Sequence, residues 1–271
     1  MEVKLNNVSF FYDSNNKVVD NFSCLIKDNM ISAIVGKNGS GKSTILHLID
    51  GLLSPVNGYI KFGSIICNSN KSYRKKIGYL FQVSSEQVFN STVYMEMKYV
   101  LDCYGVDDID KKIHDSIKLV GLDEKILYRN PGKISSGELK KVCFASILAC
   151  DSEILFLDDP FSGLDYNGRD DLLRLIKSLK KKYGKTIVIV SSDVDYIHKF
   201  VDYVYLIKDG VIYLEGNKYD VFSNEIAMNY CGLKVPDILH FSNLVLKNKN
   251  IKIGYRDEIN DLIKDVYRYV K

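Results

Sequence analysis

The chain has 271 residues, with 37 lysines and arginines against 34 aspartates and glutamates, which leaves a formal net charge of +3. This length is enough for a large hydrophobic core and predicts one domain, or one domain with a small appendage. The near-balance of charge predicts no general polyanion-binding surface, and the lysine run at 180–182 is typical of a solvated helix end. We therefore do not expect nucleic acid as a partner.

The six cysteines are scattered along the chain and include no Cys-x-x-Cys pair. This spacing is typical of reduced thiols in a cytosolic protein and does not indicate a disulfide framework or a zinc site. No apolar run approaches the length of a membrane span, and we expect no signal peptide at the N-terminus. Any association with a membrane would therefore depend on a partner.

The N-terminal region has the pattern of a hairpin. Residues 2–27 alternate between apolar and polar positions, and the polar run at 13–16 interrupts the alternation. This pattern predicts two antiparallel strands. Tyr12 ends the first of them, and its ring could stack on a purine base or belong to the core of an edge strand, since aromatic faces do both.

Residues 30–46 predict a buried strand, a glycine-rich loop and an apolar helix in succession. The loop has the pattern Gly36-x4-Gly41-Lys42-Ser43, which is the phosphate-binding P-loop. Its glycines let successive backbone N–H groups turn toward a phosphate, and the N-terminus of the following helix adds partial positive charge. Lys42 can reach the β- and γ-phosphates, and the hydroxyl of Ser43 can bind Mg²⁺. We expect a nucleoside triphosphate site here, and not an ordinary glycine-rich turn.

Beyond the P-loop, the apolar pattern predicts alternating strands and helices. Further strands are predicted at 58–63, 77–82, 154–160, 186–190, 204–207 and 211–214, and helices within 92–120, at about 136–149 and at 168–183. This alternation predicts an α/β fold with a mostly parallel sheet, covering helices and an N-terminal antiparallel region. Residues 1–222 would form the nucleotide-binding domain, with a helical subdomain at about 83–150. Residues 223–271 would form a small, mostly helical appendage.

The predicted strand at 154–160 delivers Asp158 and Asp159 at its end. A strand that ends in aspartate downstream of a P-loop is typical of the carboxylate that holds Mg²⁺ in nucleotide hydrolases, so Asp158 takes that role. The Leu-Asp-Asp-Pro run becomes strong evidence with the run Ile-Ser-Ser-Gly-Glu at 134–138, which opens the preceding helix. With these motifs in this order, residues 1–222 resemble the P-loop ATPase subunit of an ATP-binding-cassette (ABC) transporter.

The resemblance implies a role for each motif. Tyr12 would stack on adenine, Gln82 would contact Mg²⁺ and the attacking water, and residues 162–165 would form a dimer-contact loop. Asp159 stands where the family has its catalytic glutamate, and Ser192 stands where it has its switch histidine. The phosphate loop would comprise Gly36, Asn38, Gly39, Ser40, Gly41, Lys42, Ser43 and Thr44; the signature that completes the ATP site of a partner subunit would comprise Ile134, Ser135, Ser136, Gly137 and Glu138; and the Mg²⁺ ligands would be Ser43, Gln82 and Asp158.

Two further stretches, 163–170 and 231–236, resemble the ATPases of energy-coupling-factor (ECF) transporters. That subclass implies uptake of a vitamin or a metal ion through a transmembrane scaffold and a substrate-capturing membrane protein. It implies ATP and Mg²⁺ as ligands, a second ATPase subunit that is identical or different, and a position at the cytoplasmic face of the membrane. The segment 84–104 would transmit motion to the scaffold; its face of Val93, Met97, Val100 and Leu101 is either that contact or part of the core.

The sequence departs from the family pattern at positions expected to take part in ATP hydrolysis. The carboxylate of Asp159 would fall about 1–1.5 Å short of the attacking water, and misplacement on this scale can cost on the order of 10²-fold in rate. Ser192 offers a hydroxyl in place of an imidazole, while Ser136 and Glu138 add bulk and negative charge beside a phosphate. One hypothesis is a cassette that binds ATP and hydrolyses it weakly, paired with a better-equipped partner. The alternative is that Asp159 serves as a base at a modest rate.

Other functional classes remain open to different degrees. A cassette ATPase of DNA repair or translation would need a long coiled-coil insertion or two cassettes in tandem. Residues 83–133 are too few for the insertion, and the sequence has a single P-loop. A purely regulatory ATP-binding subunit is harder to separate from the enzyme, because the departures at Asp159 and Ser192 favour it.

Overall fold

The computed structural model describes residues 1–13, 16–67, 72–249, 251 and 253–270, and within them ten strands form two sheets. The strands are β1 (Val3–Asp13), β2 (Asn16–Ile26), β3 (Ile31–Val35), β4 (Asn57–Phe62), β5 (Ile65–Ile66), β6 (Ile77–Leu80), β7 (Ile154–Asp158), β8 (Thr186–Ser191), β9 (Tyr203–Lys208) and β10 (Val211–Asn217). The helices are α1 (Lys42–Asp50), α2 (Val93–Tyr104), α3 (Ile109–Leu119), α4 (Ser136–Ala149), α5 (Tyr166–Tyr183), α6 (Val194–Ile197), α7 (Lys218–Phe222), α8 (Glu225–Tyr230), α9 (Asp237–Lys249) and α10 (Ile259–Val270).

The smaller sheet is antiparallel and has the order β2-β1-β4-β5. Strands β1 and β2 pair from Val3 opposite Ile26 to Asp13 opposite Asn16, which confirms the N-terminal hairpin. The predicted turn between them includes residues 14 and 15, which lie outside the described residues. The inward side chains of both strands are buried, as the alternation of apolar and polar positions predicts.

The larger sheet has the order β10-β9-β3-β8-β7-β6, and its strands are parallel except for β10 at one edge. Every side chain of β3, β7 and β8 is buried, because helices cover one face of the sheet and α1 with the antiparallel sheet covers the other. The carboxyl ends of β3, β7 and β8 therefore meet at one edge of the sheet. The P-loop, the Asp158–Asp159 pair and Ser192 follow these ends, so the predicted site residues converge.

The strand predicted at 77–82 is shorter than expected. β6 ends at Leu80, and Gln82 lies in the loop that follows. Among the described strands, β6 lies at the edge of the sheet and pairs only with β7, and this pairing stops at Leu80 opposite Leu157. No strand lies on the other side of β6 in the described sheet, and Gln82 lies beyond the last paired residue.

Helices α2, α3 and α4 pack against one another as the helical subdomain. α2 ends at Tyr104 and is capped by Gly105, which adopts a left-handed conformation, as the predicted break indicated. Val93, Met97 and Leu101 are fully buried in the core of this subdomain. The hypothesis that these three side chains contact a membrane partner is therefore wrong, because they pack inside their own chain.

The C-terminal segment is helical, as predicted, and its first part is built into the core. A group of its apolar side chains belongs to the same buried cluster as the central strands: Ala227, Met228, Cys231, Leu233, Val235 and Leu239. α7, which was not predicted separately, leads from β10 into this segment. Across the described ranges, no helix combines the length and the apolar character that a membrane crossing needs.

Candidate functional site

The loop between β3 and α1 is shaped for close approach of a ligand to its backbone. A Cβ atom at Gly36 would lie 2.6 Å from the carbonyl oxygen of Ile207 and 2.6 Å from Oγ of Ser40, so no other residue fits there. Gly41 precedes α1 with φ of 95°, in the left-handed region. No side chain caps the start of α1, and its first turn holds no acidic residue. The N–H groups at this helix end can therefore bind an anion.

The turn between β9 and β10 supports the P-loop from behind. The N–H of Gly210 donates to the carbonyl oxygen of Ser40 over 3.0 Å, and the N–H of Asp20 donates to the carbonyl oxygen of Gly210 over 3.2 Å. These two bonds join the P-loop, this turn and the N-terminal hairpin. The sequence predicted the β9–β10 hairpin and gave no sign of this contact, which depends on the order of strands in the sheet.

The side chain of Lys42 folds back onto the P-loop. Its Nζ donates to the carbonyl oxygens of Gly36, over 2.9 Å, and of Lys37, over 3.0 Å. Burial lowers the pKa of the Lys42 ammonium, and the carboxylates of Asp158 and Asp159 oppose this effect. The hydroxyl of Ser40 is buried without a hydrogen-bond partner among the described residues. A phosphate in the loop would accept from both groups.

Asp158 and Ser43 meet at the edge of the sheet. Burial raises the pKa of the Asp158 carboxyl, and a hydrogen bond with the hydroxyl of Ser43 counteracts it, as do His47 and Lys42. Both residues line a cavity of about 410 Å³. The cavity is lined by Val18, Asn38, Gly39, Gly41, Lys42, Ser43, Thr44, Gln82, Asp158, Asp159, Val190, Ser191 and Ser192.

The oxygen atoms in this cavity suit a magnesium ion. Ser43 offers a hydroxyl, Asp158 a carboxylate and Gln82 an amide oxygen, all on one cavity. Mg²⁺ prefers hard oxygen ligands, and proteins usually hold it by one or two carboxylates together with the phosphates of a substrate. The donor set therefore fits the ion that the sequence implied.

Asp159 is held at the wall of this cavity. Its backbone has φ of 44°, a left-handed conformation that aspartate tolerates better than most residues. Its Oδ1 accepts a hydrogen bond of 2.9 Å from Oγ of Ser191, which itself accepts from the N–H of Asp193 over 3.0 Å. Ser191 was not predicted as a site residue. Its contact with Asp159 depends on the pairing of β7 with β8, which no local pattern in the sequence indicates.

The loop that carries Gln82 is closed by a second glutamine. The side-chain amide of Gln87 accepts from the N–H of Phe81 and donates to the carbonyl oxygen of Tyr79, both over 3.3 Å. It takes the place of a neighbouring strand at the end of β6. Further along, Oε2 of the buried Glu96 accepts from the N–H of Phe89 and of Asn90. Neither Gln87 nor Glu96 was predicted as part of the site.

The predicted signature residues lie at a different cavity. Ser135, Gly137 and Glu138 line a second cavity of about 430 Å³ together with Gly163, Leu164 and Asp165 of the predicted dimer-contact loop, and Leu122, Lys141, Asn167, Gly168 and Asp171 complete its lining. This cavity shares no lining residue with the P-loop cavity. Ser136 is the first residue of α4. Within one chain, the structure brings together the P-loop, Gln82, Asp158, Asp159 and Ser192, but not the signature.

Glu138 does not present a free charge to a phosphate. Its Oε2 accepts from the N–H of Ser135 over 2.9 Å and from the hydroxyl of Ser135 over 2.8 Å, while its own N–H donates to Oγ of Ser135 over 3.2 Å. This reciprocal pair is a capping box at the start of α4. The hydrogen bonds from Ser135, with Arg129 nearby, lower the pKa of the Glu138 carboxyl. The expected repulsion is reduced because the carboxylate turns back on its own helix.

Tyr12 lies beside the P-loop and is not part of the cavity lining. Its hydroxyl is 3.3 Å from Oγ1 of Thr44, and its ring meets the ring of Phe10 edge-on at 5.0 Å. The residue is 57% exposed, so its ring is accessible to a ligand. Stacking on adenine stays a prediction.

Comparison with known proteins decides the family. The model of the family described as "ABC transporter" matches residues 19–162, a span that holds the P-loop, the signature and both carboxylates at the end of β7. The chain belongs to the ABC transporter family. Its site therefore binds ATP, and the fold is the ATPase cassette of that family.

The relatives of this ABC ATPase narrow the family further. It is 35% identical to the energy-coupling factor transporter ATP-binding protein EcfA3 of Oenococcus oeni, over 100% of this chain and 99% of the relative. It is also 35% identical to EcfA2 of Streptococcus pneumoniae, over 89% of this chain and 90% of the relative. This ABC ATPase thus groups with the ATP-binding subunits of ECF transporters, in which ATP hydrolysis is coupled to transport.

Solved structures agree with this grouping. The ABC ATPase superposes on cbiO1 of Clostridium perfringens, part of the ABC transporter complex cbiONQ, with a TM-score of 0.74 and 28% identity, over 89% of this chain and 98% of that one. It also superposes on the dimeric cassette MJ0796 bound to ADP and Pi, with a TM-score of 0.73 and 26% identity, over 80% of this chain and 98% of that one.

Proposed function

We propose that this ATP-binding subunit powers an ECF-type transporter for uptake of a vitamin or a metal ion, and that its ATP site is completed by a second cassette. The observation that carries the two-cassette proposal is the separation of the P-loop cavity from the signature cavity within one chain. A second subunit facing this one would supply the missing half of this site. The dimeric arrangement of the similar cassette MJ0796 supports the same geometry.

The residues of the P-loop cavity divide the work between binding and chemistry. The free N–H groups of the loop and the Nζ of Lys42 would bind the β- and γ-phosphates. Ser43, Asp158 and Gln82 would hold Mg²⁺, which neutralises charge on the phosphate oxygens when bound. Asp159 would accept a proton from the attacking water, and Ser192 would offer its hydroxyl near the γ-phosphate.

We propose that intrinsic hydrolysis is slow. Asp159 is one methylene shorter than the glutamate of the family, and its Oδ1 already accepts from Ser191. Loss of one transition-state contact, such as that of an imidazole at position 192, typically costs about 3–4 kcal/mol. The Asp159–Ser191 bond also favours a second candidate function, that of an ATP-binding regulatory subunit paired with an active cassette.

ATP hydrolysis separates these two functions. The purified chain is assayed alone and in the complex that it forms when co-purified from membranes. An enzyme of low intrinsic rate is expected to show measurable turnover that rises in the complex. Turnover comparable with ordinary cassettes would refute slow hydrolysis. A regulatory subunit would show binding without turnover, and inactivating the partner cassette would abolish all activity of the complex.

Binding itself has a direct test in Lys42→Ala. Loss of the ammonium removes the only cationic side chain that lines the P-loop cavity among the described residues. We expect ATP affinity to fall by at least about 100-fold, which corresponds to about 2.7 kcal/mol. Fluorescence titration with a labelled ATP measures it, and unchanged affinity would overturn the assignment of the P-loop.

We also propose a docking surface for the membrane scaffold on the outer side of the helical subdomain. Phe89 is 70% exposed and meets the half-exposed ring of Tyr99 edge-on at 5.0 Å, with Met95 exposed in the same segment. Phe89 follows the Gln82 loop directly, so contact here can reach the P-loop cavity through Glu96 and Gln87. Apolar side chains exposed together mark interaction sites more often than single ones do.

Variants of this surface test the partner. Phe89→Ser combined with Tyr99→Ser is expected to lower the amount of this chain that co-purifies with membranes by about tenfold while ATP affinity stays unchanged. Tyr183→Ser, at the end of α5, is the matched control, because that tyrosine is comparably exposed and lies outside this surface. Unchanged co-purification of the double variant would refute the docking surface.

A further inference from the structure

Lys140 is a buried cation outside the P-loop cavity. Its side chain lies on α4, two residues after Glu138, and only 6% of the residue is exposed. Its Nζ donates to the carbonyl oxygen of Ser162 over 2.6 Å and lies 3.5 Å from the carbonyl oxygen of Asp159. It forms no ion pair with any residue in the described ranges, so backbone carbonyls satisfy its charge.

The two carbonyls belong to the loop 159–165, which runs between the P-loop cavity and the signature cavity. At one end this loop carries Asp159, whose carboxylate lines the P-loop cavity. Further along lie Gly163, Leu164 and Asp165, which line the signature cavity. A Cβ atom at Gly137 of the signature would lie 3.6 Å from Cδ2 of Leu164, so α4 approaches this loop at a second point.

One side chain therefore joins α4 to the loop between the two cavities. Burial lowers the pKa of the Lys140 ammonium, while the carboxylates of Asp159 and Asp158 favour its charged form. A methionine of similar length would avoid this burial cost, and such replacements of buried charges are often neutral or stabilising. What the methionine would lack is the set of N–H donors that holds the two carbonyls.

We propose that Lys140 is a positioning residue that sets the Asp159 turn relative to the signature helix. Because α4 carries the signature, a displacement of this helix is passed through Lys140 to the turn that serves the chain's own ATP. The part of this inference that concerns a second ATP rests on the proposed two-cassette function. The residues that line the P-loop cavity and the signature cavity do not include Lys140.

The test compares Lys140→Met with Lys185→Met in the full chain. Lys185 is a largely buried lysine just before β8 that pairs with Asp151 over 2.7 Å, and it lines neither the P-loop cavity nor the signature cavity. For Lys140→Met we expect kcat to fall about tenfold and KM to stay within about twofold, because the Asp159 turn shifts and the P-loop does not. For Lys185→Met both constants should stay within about twofold.

Two further readouts separate positioning from a structural role. Hydrogen exchange of the amides at 161–165 should become faster in Lys140→Met, with the P-loop amides unchanged, while the melting temperature should stay equal or rise. Lys140→Arg should restore most of kcat, since guanidinium N–H groups can reach the same carbonyls and an adjoining cavity of about 360 Å³ offers room. Unchanged kcat, or parallel losses of kcat, melting temperature and protection throughout the chain, would overturn the proposal.

Cooperativity distinguishes this inference from the proposed function. If two cassettes share their sites, the Hill coefficient for ATP should exceed one in the wild-type complex and approach one in Lys140→Met. A Hill coefficient of one in the wild type, together with the changes in kcat and exchange given above, would refute the shared sites and leave the positioning role intact. A wild-type coefficient above one that Lys140→Met preserves would refute transmission through Lys140.

Discussion

At the scale of single residues, the chemistry depends on two short side chains, Asp159 and Ser192. Asp159 occupies the left-handed region with φ of 44°, where aspartate is several-fold enriched and glutamate is not. Its carboxylate is shared with Ser191 over 2.9 Å. The hydrogen bond holds the carboxylate against Ser191 of β8, at the wall of the cavity.

Lengthening both side chains should therefore raise turnover. In Asp159→Glu combined with Ser192→His, the longer carboxylate and the added imidazole restore reach toward the γ-phosphate. We expect kcat to rise by about 10- to 100-fold in the assembled complex, less than the sum of both contacts because glutamate is strained at this φ. Steady-state phosphate release measures it, with Asp159→Asn as the control that should lower kcat. No increase would mean that these two positions do not face the reacting atoms.

The sequence predicted the residues whose chemistry is local. Gly36, Lys42 and Ser43 fall within eight positions, and their spacing alone defines a phosphate loop. Ser191 and Lys140 could not be predicted in the same way. One acts through the pairing of β7 with β8, and the other through the packing of α4 on the 159–165 loop, so neither leaves a pattern in the neighbouring letters.

At the scale of elements, the start of α4 explains an unusual signature. The family has glutamine where this chain has Glu138, and both residues can complete a capping box with Ser135. The glutamate does so with its charge satisfied by the N–H and hydroxyl of Ser135. The sequence predicted repulsion between the Glu138 carboxylate and a phosphate, but the structure shows this carboxylate capping the start of α4.

Variants of Glu138 separate the cap from the charge. Glu138→Gln keeps the reciprocal hydrogen bonds and removes the charge, so we expect an unchanged melting temperature and tighter ATP-dependent association with the partner cassette. Glu138→Ala loses the cap and should lower the free energy of unfolding by about 0.5–2 kcal/mol. Thermal melts and analytical ultracentrifugation with ATP measure the two effects. Equal behaviour of the two variants would show that the cap contributes nothing to α4.

The end of β6 differs from the end that the sequence predicted. The apolar pattern continues from Ile77 to Phe81, and it predicted a strand that reaches Gln82. The ladder ends at Leu80 because β6 lies at the sheet edge, and Gln87 closes the loop with its side-chain amide. Periodicity reports burial, while the length of a strand also depends on partners that are distant in sequence.

At the scale of the whole molecule, the buried His198 lines a cavity that Asp257 and other residues of the C-terminal segment also line. His198 follows α6, its Nδ1 lies 3.2 Å from the carbonyl oxygen of Val194, and its Nε2 is buried without a partner among the described residues. Burial lowers the pKa of its imidazole below the model-compound value of 6.5; nearby Asp257 raises it, and Lys199 and Lys218 lower it further.

This lowered pKa makes stability depend on pH. The unfolded chain binds a proton at His198 below a pH of about 6.5, while the folded chain does not until the pH is lower, so acidification through this window favours unfolding. We expect the melting temperature to fall more between about pH 7.5 and about pH 5.5 in the wild type than in His198→Phe. Calorimetry at both pH values measures the difference. Equal falls in the melting temperature of the two proteins would show that folding does not lower the pKa of the His198 imidazole.

The same segment should be part of the cooperative core, and not a separable tail. Met228 and Ile226 lie two residues apart on α8, one fully buried against the central cluster and the other 80% exposed. Met228→Ala is expected to lower the free energy of unfolding by about 2–5 kcal/mol, because it leaves a cavity among the core side chains. Ile226→Ala should stay within about 0.5 kcal/mol. Urea unfolding monitored by far-UV circular dichroism measures both, as one transition. Equal effects of the two variants, or a second transition at lower urea, would mean that α8 unfolds independently of the cassette.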